Sequence, residues 1–528
     1  MAEVKVLIAG AGIAGLATAI ALRRLDSAEL RLDIQLYEKA RELKEIGASI
    51  ALSPNGLRTL ERLGVANALD DAVGFRGPSG LPMIYRHWKT NEVVSVDEFV
   101  DVPDRRHQTA RFHRAHLHEA LLEYVDRRTI HLNKAVRSAE VEGEADGDGV
   151  RLFFDDGTSV RGDILIGADG LRSKVRAAFR PQHSLHWTGR TLFRSTFDAE
   201  LVEGGLIPDL PPDSTHWWGP KHTFFASRLG KNLYTTVGNF DPAAARAIGQ
   251  SQPQTQQIQW DQEGDVAVFR ELYKGWNPVV KALTEATPYV RLYPNLAGAP
   301  LDTWVFGSRV TLVGDAAHTH GGAHAAGGSL ALDDAWALYL AFRHVFAALG
   351  LVPGSAGAGA DSTGADSAGA DNAGAGASAT NNPTTQPTAS IPVPVPLQVQ
   401  DIHRALSLYD RTRRPHTERL VKSVLGAGGA GAGAGTGAAA AAAAVTPVSE
   451  SDEDEDEALR LKMKNRPSTT WLAEHDVEAA FAEVLDQDKH NHSHGHKGNT
   501  QGRGFGIGVR VGVGGLPTPA HGRDQSRL

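Results

Sequence analysis

Short apolar runs that end in glycine mark the chain at three places. The first run, Val4–Ala9, ends at Gly10, and later runs end at Gly167 and Gly314. Continuous apolar runs of this length are typical of strands that are buried on both faces of a parallel sheet. After the first run, the apolar positions take a helical spacing over Ile13–Arg24. The pattern predicts an α/β domain in which parallel strands lead into helices.

Two other segments alternate polar and apolar residues. They are Gly74–Val102 and the aromatic-rich stretch from Trp187 to about Tyr293. Alternation with Pro and Gly punctuation is typical of antiparallel strands, although Asn277–Ala286 within the longer segment has helical spacing. Because α/β sequence lies on both sides of the longer segment, we predict that a mixed or antiparallel β-sheet domain is inserted into the α/β domain.

A hairpin and further helices complete the predicted elements. Asp156–Gly157 is the expected turn of a hairpin within Val150–Ile166. The spacing of apolar residues predicts helices that begin at Pro54 and at about Gly328. The other predicted helices are Arg111–Val125, Ile402–Leu425 and Trp471–Leu485.

Low-complexity sequence surrounds the last of these helices. Segments 351–400 and 426–457 are rich in small residues, the second ends in the acidic run Asp452–Glu457, and the tail 487–528 is rich in Gly and His. Such segments contain too few large apolar side chains to offset the conformational entropy that ordering would remove. We therefore predict that all three are disordered.

The first strand leads into a phosphate-binding pattern. Gly10, Gly12 and Gly15 form G-x-G-x-x-G, and a second predicted strand, Asp33–Tyr37, ends in Glu38 about 20 residues later. The glycines permit a tight turn, close approach of the backbone to a pyrophosphate, and close packing of helix on strand. A carboxylate at this distance suits a ribose hydroxyl and disfavours a 2′-phosphate. The sequence predicts a Rossmann-like site for an adenine dinucleotide, and a glycine turn used for packing alone is the alternative.

Composition narrows the class of protein. A chain of 528 residues suggests two or three domains, and a net charge of −8 without a basic face argues against a nucleic-acid partner. The absence of cysteine excludes disulfides, a thiol nucleophile and cysteine-ligated zinc. Because no apolar stretch is long enough to cross a bilayer, we expect no transmembrane segment and a soluble, intracellular protein.

Three motifs together resemble a known family. GAGIAG with Glu38, GADGLRSKVR at 167–176 and GDAAH at 314–318 are similar to those of the single-component, class A FAD-dependent aromatic hydroxylases of the salicylate hydroxylase-like type. The likeness covers 4–345 and 402–424, with a weaker likeness over 466–485. It implies FAD as the resident cofactor, NADH or NADPH as a transient co-substrate, and hydroxylation of a salicylate- or phenol-like molecule by O₂ through a C4a-hydroperoxyflavin.

The resemblance also implies a division of the chain. The FAD-binding domain would comprise residues 1–75, 103–185 and 294–350. The substrate domain would comprise residues 76–102 and 186–293. Residues 401–425 and 458–486 would form C-terminal helical segments.

Individual residues take roles from the same resemblance. They would lie along FAD as follows: Gly10, Gly12 and Gly15 at the phosphates, Glu38 at the adenosine ribose, Asp169 near the pyrophosphate, Asp315 at the ribityl chain, Ala51 facing the flavin, Arg111 in contact with FAD, and the backbone of Gly327 and Gly328 against the isoalloxazine. A flexible ribityl diphosphate needs hydrogen-bonding partners along its whole length, and strand ends that carry carboxylates supply them. A simple turn or cap role is the alternative for Asp169 and Asp315.

Two candidates for catalysis follow from the resemblance. Arg194 matches the family position of a cation that favours the phenolate form of the substrate, because an opposite charge lowers a pKa; a surface strand arginine is the alternative. Where relatives often carry Tyr-Pro, the chain has Ala226–Ser227, so Tyr234 is the candidate tyrosine, with packing as its alternative. The family's P-x-x-G-Q-G appears as Gly322–Gly327, without the Pro and the Gln.

The histidines and the C-terminus leave further expectations. His318, His320 and His324 lack a matching carboxylate cluster, so we expect no metal site there or in the histidine-rich tail His490–His496. Ser526–Leu528 (SRL) is similar to the S-K-L peroxisomal signal, which leaves a cytoplasmic or a peroxisomal location, with an import receptor as partner, open. The alternatives to hydroxylation are an FAD-dependent epoxidase or dehydrogenase and a non-catalytic flavin-binding interaction protein.

Overall fold

The computed structural model describes residues 1–43, 47–143, 149–240, 259–353, 397–428 and 452–495. The chain divides into two compact units, 1–484 and 485–528, and the second is described only as far as residue 495. Most of the segments predicted to be disordered lie outside the described residues, as does the predicted signal Ser526–Leu528. Within the described residues, no helix is both long enough and apolar enough to span a membrane.

The strands and helices are numbered here in chain order. The strands are β1 (Ala2–Ala9), β2 (Leu30–Tyr37), β3 (Ser49–Leu52), β4 (Met83–His87), β5 (Val93–Asp97), β6 (Ala110–His113), β7 (Ile130–His131), β8 (Val136–Glu142), β9 (Gly149–Phe154), β10 (Ser159–Gly162), β11 (Ile164–Gly167), β12 (Leu185–Asp198), β13 (Thr215–Trp218), β14 (Thr223–Leu229), β15 (Leu233–Phe240), β16 (Gln262–Gly264), β17 (Val290–Gly298), β18 (Val305–Phe306) and β19 (Val310–Leu312). The helices are α1 (Ile13–Arg23), α2 (Pro54–Arg62), α3 (Arg114–Leu122), α4 (Lys174–Phe179), α5 (Val266–Tyr273), α6 (Pro278–Ala286), α7 (Asp315–His318), α8 (Gly327–Ala348), α9 (Val399–Gly428), α10 (Asp452–Lys464), α11 (Thr470–Ala473) and α12 (Val477–Gly495).

A six-stranded sheet contains the three apolar runs. Its order is β18-β19-β11-β1-β2-β7, and β1 pairs in parallel with β11 on one side and β2 on the other. Leu7 and Ile8 in β1 and Leu165 and Ile166 in β11 are fully buried. Continuous apolar strands were expected to be covered on both faces, and the predicted Rossmann-like α/β fold is confirmed.

An eight-stranded sheet forms the second layer of structure. Its order is β16-β17-β12-β15-β14-β13-β4-β5, and most of its neighbours are antiparallel. Two of its strands come from Met83–Asp97 and the others from Leu185–Gly298, so the inserted mixed sheet is confirmed. Helices α5 and α6 supply Phe269 and Leu283 to the apolar cluster that also contains Phe193 of β12. The helices therefore cover one face of this sheet, and its other face contributes to the candidate site.

The segment around Arg111 differs from the prediction. Arg111 was expected to begin a helix, but it lies in β6, opposite Ala51 of β3, and the helix begins at Arg114. Ala110 and Phe112 are fully buried while His113 is partly exposed, so the segment Ala110–His113 is held by strand pairing and burial. Helical spacing further along the sequence concealed this short strand.

The C-terminal predictions need two corrections. The acidic run Asp452–Glu457 belongs to α10, so its predicted disorder is wrong; Leu459 and Met463 pack this helix against Trp218 of β13. The predicted helix Trp471–Leu485 is two helices, α11 and α12, separated by residues 474–476, and α12 extends the predicted order as far as Gly495.

This C-terminal segment contacts both the eight-stranded sheet and the α/β domain. Arg466 pairs with Asp97 at the end of β5, and its guanidinium carbon lies 3.4 Å from the centre of the Tyr85 ring in β4. Further along, Arg58 of α2 donates a hydrogen bond of 2.8 Å to the carbonyl of Glu474. The C-terminal segment therefore connects the eight-stranded sheet to helix α2 of the α/β domain.

Candidate cofactor and active site

Four neighbouring parallel strands end at one edge of the six-stranded sheet. In spatial order they are β19, β11, β1 and β2, and they lead directly to Asp315, Asp169, the glycine turn that begins at Gly10, and Glu38. Ligands of open α/β sheets bind outside the carboxyl ends of the strands. The structure therefore brings these predicted cofactor residues to one edge, in an order that suits an extended ligand.

The turn after β1 requires its glycines. Gly10 has φ +103°, and a Cβ there would lie 2.5 Å from the carbonyl oxygen of Ala168. A Cβ on Gly15 would lie 2.0 Å from the carbonyl oxygen of Gly10. Gly12 is the N-cap of α1 and supplies no side-chain cap, so the first amides of this helix face outward without one. An uncapped helix N-terminus beside a glycine turn is suited to a phosphate group.

Glu38 lies against this turn. One carboxylate oxygen accepts a hydrogen bond of 3.0 Å from the amide of Ala11, and the other accepts one of 2.9 Å from the amide of Ala40. The side chain is partly exposed, so it is positioned at the turn and accessible to a ligand. Its contact with the adenosine ribose stays a prediction.

Asp169 is used by the protein itself as a helix cap. Its carboxylate accepts hydrogen bonds from the Ser173 hydroxyl at 2.5 Å and from the amides of Lys174 and Val175 at 2.6 and 3.1 Å, at the start of α4. Burial raises the pKa of Asp169 above its ordinary value, although these hydrogen bonds oppose the shift. The side chain of Asp169 therefore has the helix-capping role that was given above as the alternative to cofactor binding. Its contact with the pyrophosphate stays a prediction.

Asp315 and His320 both lie next to Gly327. Asp315 follows Gly314, whose φ is +59°, and its side chain is exposed, with no hydrogen-bond partner among the described residues. A Cβ on Gly327 would have the His320 imidazole at 3.5 Å and an Asp315 carboxylate oxygen at 3.9 Å as its nearest neighbours. A Cβ on Gly328 would instead clash with Ile50 at 2.8 Å, so Gly328 permits packing against β3.

Arg111 points away from the glycine turn. Its Nε donates to the Ser214 hydroxyl at 3.1 Å and its Nη2 to the Pro82 carbonyl at 3.1 Å, while the guanidinium lies 5.2 Å from the centre of the Phe225 ring. Burial lowers the pKa of Arg111 to about 10, so the group is still charged at neutral pH. Its contacts belong to the eight-stranded sheet. Ala51 lies opposite it in β3, and the neighbours of Ala51 in that strand, Ile50 and Leu52, are the residues that face Gly328 of α8. The predicted FAD contacts of both residues stay predictions.

Arg194 lies on the uncovered side of the eight-stranded sheet. Its Nη2 donates a hydrogen bond of 3.1 Å to the Ser49 carbonyl, and its guanidinium lies 5.6 Å from the centre of the Tyr293 ring. Its Nε is buried and has no hydrogen-bond partner among the described residues. Burial lowers the pKa of Arg194, and the nearby positive charge of Arg114 lowers it further. A charged group with unused hydrogen-bonding capacity is thus held inside the protein.

Tyr234 faces the opposite way, and we withdraw it as a catalytic candidate. It lies opposite Phe197 in the register of β15 with β12, whereas Arg194 lies opposite Val237. Positions three residues apart on a strand point to opposite faces. Tyr234 is only 2% exposed and belongs to the apolar cluster under α5 and α6, where burial raises its pKa. The packing alternative is therefore the correct one.

A buried ionic cluster beside the site was missed by the sequence analysis. Asp334 of α8 is hydrogen-bonded to His318 at 2.7 Å, accepts a hydrogen bond of 2.8 Å from the Gly314 amide, and accepts one of 2.9 Å from Nε of Arg413 in α9. Burial alone would raise the pKa of Asp334, but His318 and Arg413 hold it below its ordinary value. We call Asp334, His318 and Arg413 the paired cluster. It fixes the turn that presents Asp315.

The remaining loop histidines, His320 and His324, are uncharged. Burial lowers the pKa values of His320 and His324 to about 4, so both are neutral at physiological pH. His324 and Ala325 have φ of +55° and +53°, in the region that favours glycine. Among the described residues there is no group of three or more His, Asp or Glu that could hold a metal ion.

These observations fit FAD as a ligand. An uncapped helix N-terminus, an exposed carboxylate without a partner and a buried imidazole without a partner all lie outside the sheet edge. A ligand that extends past several strand ends and carries phosphates and hydroxyls satisfies them together.

Comparison with known proteins decides the family. The family described as FAD binding domain matches residues 3–348. The chain belongs to this family, and it is an FAD-dependent monooxygenase of the aromatic hydroxylase class. The predicted family and the predicted FAD cofactor are thereby confirmed.

Individual relatives agree with this assignment. The chain is 27% identical over 340 residues to a 6-hydroxynicotinate 3-monooxygenase from Pseudomonas fluorescens, covering 62% of this chain and 80% of that protein. Its fold is similar to a salicylate hydroxylase in a substrate complex, with a TM-score of 0.62, 20% identity, and coverage of 91% of this chain and 98% of the other. It is also similar to a Klebsiella pneumoniae protein complexed with FAD and uric acid, with a TM-score of 0.59, 21% identity, and coverage of 92% and 96%.

Proposed function

We propose that this enzyme uses NADH or NADPH together with O₂ to hydroxylate a phenol-like aromatic molecule held on the Arg194 face of the eight-stranded sheet. The observation that carries the proposal is the half-buried Arg194 side chain, whose Nε is buried without a hydrogen-bond partner and whose charge no carboxylate neutralises among the described residues. The names of the relatives, a 6-hydroxynicotinate 3-monooxygenase and a salicylate hydroxylase, support an aromatic substrate.

Arg194 prepares the substrate ring for oxidation. FAD, when bound and reduced, supplies electrophilic oxygen derived from O₂. The Arg194 charge favours the ionised form of a phenol beside it, because an opposite charge within 4–6 Å lowers a pKa by about one unit or more. A phenolate donates more electron density to its ring carbons than a phenol does. The Tyr293 ring under the guanidinium helps to exclude water from this position.

Arg111 supports a negatively charged substrate. Arg194, Val237 and Phe225 lie in register across β12, β15 and β14, so Phe225 is about 10 Å from Arg194 at the usual strand spacing. The Arg111 guanidinium lies over the Phe225 ring, and it donates hydrogen bonds to the neutral Ser214 hydroxyl and Pro82 carbonyl. A surface with an aromatic ring between two cations suits a flat anion better than a cation.

Isotope labelling tests the reaction. The full-length, FAD-loaded enzyme is incubated with NADH or NADPH, ¹⁸O₂ and a panel of hydroxylated aromatic and heteroaromatic acids, and the products are analysed by mass spectrometry. We expect substrate-stimulated oxidation of the nicotinamide and one ¹⁸O atom in each product molecule.

Three results would reject the proposal. Oxygen derived from water would exclude a monooxygenase reaction, and an oxidised product that contains no ¹⁸O would indicate a dehydrogenase. An epoxide product that retains its ¹⁸O would replace aromatic hydroxylation with epoxidation.

A further inference from the structure

His320 has no hydrogen-bond partner although it is buried. Its side chain is 3% exposed, and both ring nitrogens lack a partner among the described residues. At neutral pH the imidazole is uncharged and carries one donor and one acceptor. Leaving such groups unpaired inside a protein costs about 1–3 kcal/mol each. The position is therefore difficult to explain by packing alone.

The imidazole faces the space beside Gly327. Its Nε2 and Cε1 atoms lie 3.5 and 3.9 Å from the point that a Cβ on Gly327 would occupy. An Asp315 carboxylate oxygen is 3.9 Å from the same point. His320 and Asp315 thus both lie within 4 Å of the position that a Cβ on Gly327 would occupy, and Gly327 places no side chain between them.

The surroundings keep His320 in place and neutral. An isolated bridge joins it to Ala297 of β17, and the neighbouring Thr319 carbonyl accepts a hydrogen bond of 3.1 Å from the Gly298 amide. The charged or titratable groups that face it are Asp315, His318 and His324. His318 is engaged by Asp334, so it does not satisfy His320.

We propose that His320 is a cofactor-contacting residue whose neutral imidazole hydrogen-bonds bound FAD beside Asp315 and Gly327. The ribityl chain and the pyrimidine rim of the flavin carry both donors and acceptors, and they complement an imidazole that offers one of each. This inference rests on the FAD-binding family and is independent of which substrate is hydroxylated.

The decisive test separates FAD affinity from stability. In the full-length apoprotein, His320→Leu removes both hydrogen-bonding atoms and His320→Gln retains a donor and an acceptor. Titration with FAD, followed by flavin fluorescence and visible absorbance, should show about tenfold weaker binding for His320→Leu and less than threefold for His320→Gln. The melting temperature of the His320→Leu apoprotein should be unchanged or slightly higher than that of wild type, because an unpaired buried polar group has been removed.

His416 supplies a matched control. It also has a ring nitrogen without a partner, but its ring stacks on His475 at 3.8 Å and lies against Trp471 at 5.4 Å, and none of its ring contacts involves Asp315 or Gly327. His416→Leu should leave the dissociation constant of FAD unchanged. Wild-type FAD affinity and an unshifted flavin spectrum in His320→Leu would overturn the proposal, as would a change confined to the KM of the aromatic substrate.

Because FAD binding is measured without turnover, the two proposals fail separately. Absence of ¹⁸O in products would reject hydroxylation and leave the FAD titration unaffected. Loss of apoprotein stability in His320→Leu with unchanged FAD affinity would reassign His320 to a structural role.

Discussion

Two kinds of buried polar group lie close together in this enzyme, and they differ in where their partners come from. In the paired cluster, Asp334 has a hydrogen-bonding partner on each carboxylate oxygen, and both partners belong to the chain. His320 and Arg194 retain buried nitrogen atoms without partners among the described residues. Leaving a buried polar atom without a hydrogen bond is unfavourable, and His318 Nδ1 and Arg413 Nη1 in the paired cluster also lack such a partner among the described residues. What distinguishes Asp334 is that the chain itself satisfies both of its carboxylate oxygens, whereas the proposals above assign His320 and Arg194 to contacts with ligands.

The largest effect is expected in the paired cluster. Asp334→Ala leaves the fully buried Arg413 guanidinium facing only Asp333, which lies 3.9 Å away. Removing one partner of a buried ion pair costs about 3–5 kcal/mol of unfolding free energy. Urea denaturation of the apoprotein measures this loss.

Asp126→Ala is the control for this change. Asp126 forms an exposed surface pair with Arg128 and caps the 3₁₀ turn Arg127–Thr129, so its removal should cost much less stability than the removal of Asp334. A loss for Asp334→Ala no larger than that of Asp126→Ala would show that the cluster does not hold the loop.

The second effect concerns turnover. Arg194→Ala should retain bound FAD and lower kcat/KM by about tenfold to a hundredfold at neutral pH, because the charge-assisted hydrogen bond to the substrate is lost. The deficit should shrink as the pH rises above the substrate's own pKa, where the phenol ionises without help. Steady-state kinetics between pH 6 and 10 test both statements.

Tyr234→Phe is the matched variant on the same sheet. Tyr234 packs on the other face, so removal of its hydroxyl should leave the pH dependence of kcat/KM unchanged. An Arg194→Ala enzyme with the kinetics of wild type would remove Arg194 from the reaction.

A third effect is on acid stability. Because burial lowers the pKa of His320 from 6.5 to about 4, the unfolded chain binds a proton over this pH range that the folded chain does not. Titration of His320 therefore leaves the stability of the folded protein unchanged above pH 6.5 and lowers it as the pH falls toward 4. His320→Leu should make the apoprotein less sensitive to acid by up to about 1.4 kcal/mol per pH unit, measured by urea unfolding between pH 7 and 4.5. An unchanged slope would mean that His320 takes up a proton in the folded protein.

Features that depend on local sequence were predictable. The glycine turn and Glu38 are set by the ends of β1 and β2, and each strand end is recognisable from its own apolar run. Asp169 and Asp315 could be placed for the same reason. Local sequence did not show that the Asp169 carboxylate caps α4, because a cap and a ligand contact require the same residue at the same place.

Features that depend on long-range pairing were not predictable. Tyr234 and Arg194 are separated by the register of β15 with β12, and a shift of one residue would have placed Tyr234 on the other face. Arg413 meets Asp334 only because α9 packs on α8, across 79 positions of sequence. Neither the two adjacent acidic residues in α8 nor the later arginine predicts this ion pair from sequence alone.

The paired cluster also sets an order in which the protein can mature during synthesis. A nascent chain that has emerged only as far as Gly350 contains Asp333, Asp334 and His318 but lacks Arg413. Two adjacent carboxylates in α8 then have no guanidinium to neutralise them, and their burial is unfavourable until α9 has been made. The turn that presents Asp315, although complete in sequence, therefore gains the Arg413 ion pair that stabilises it only after α9 has been synthesised.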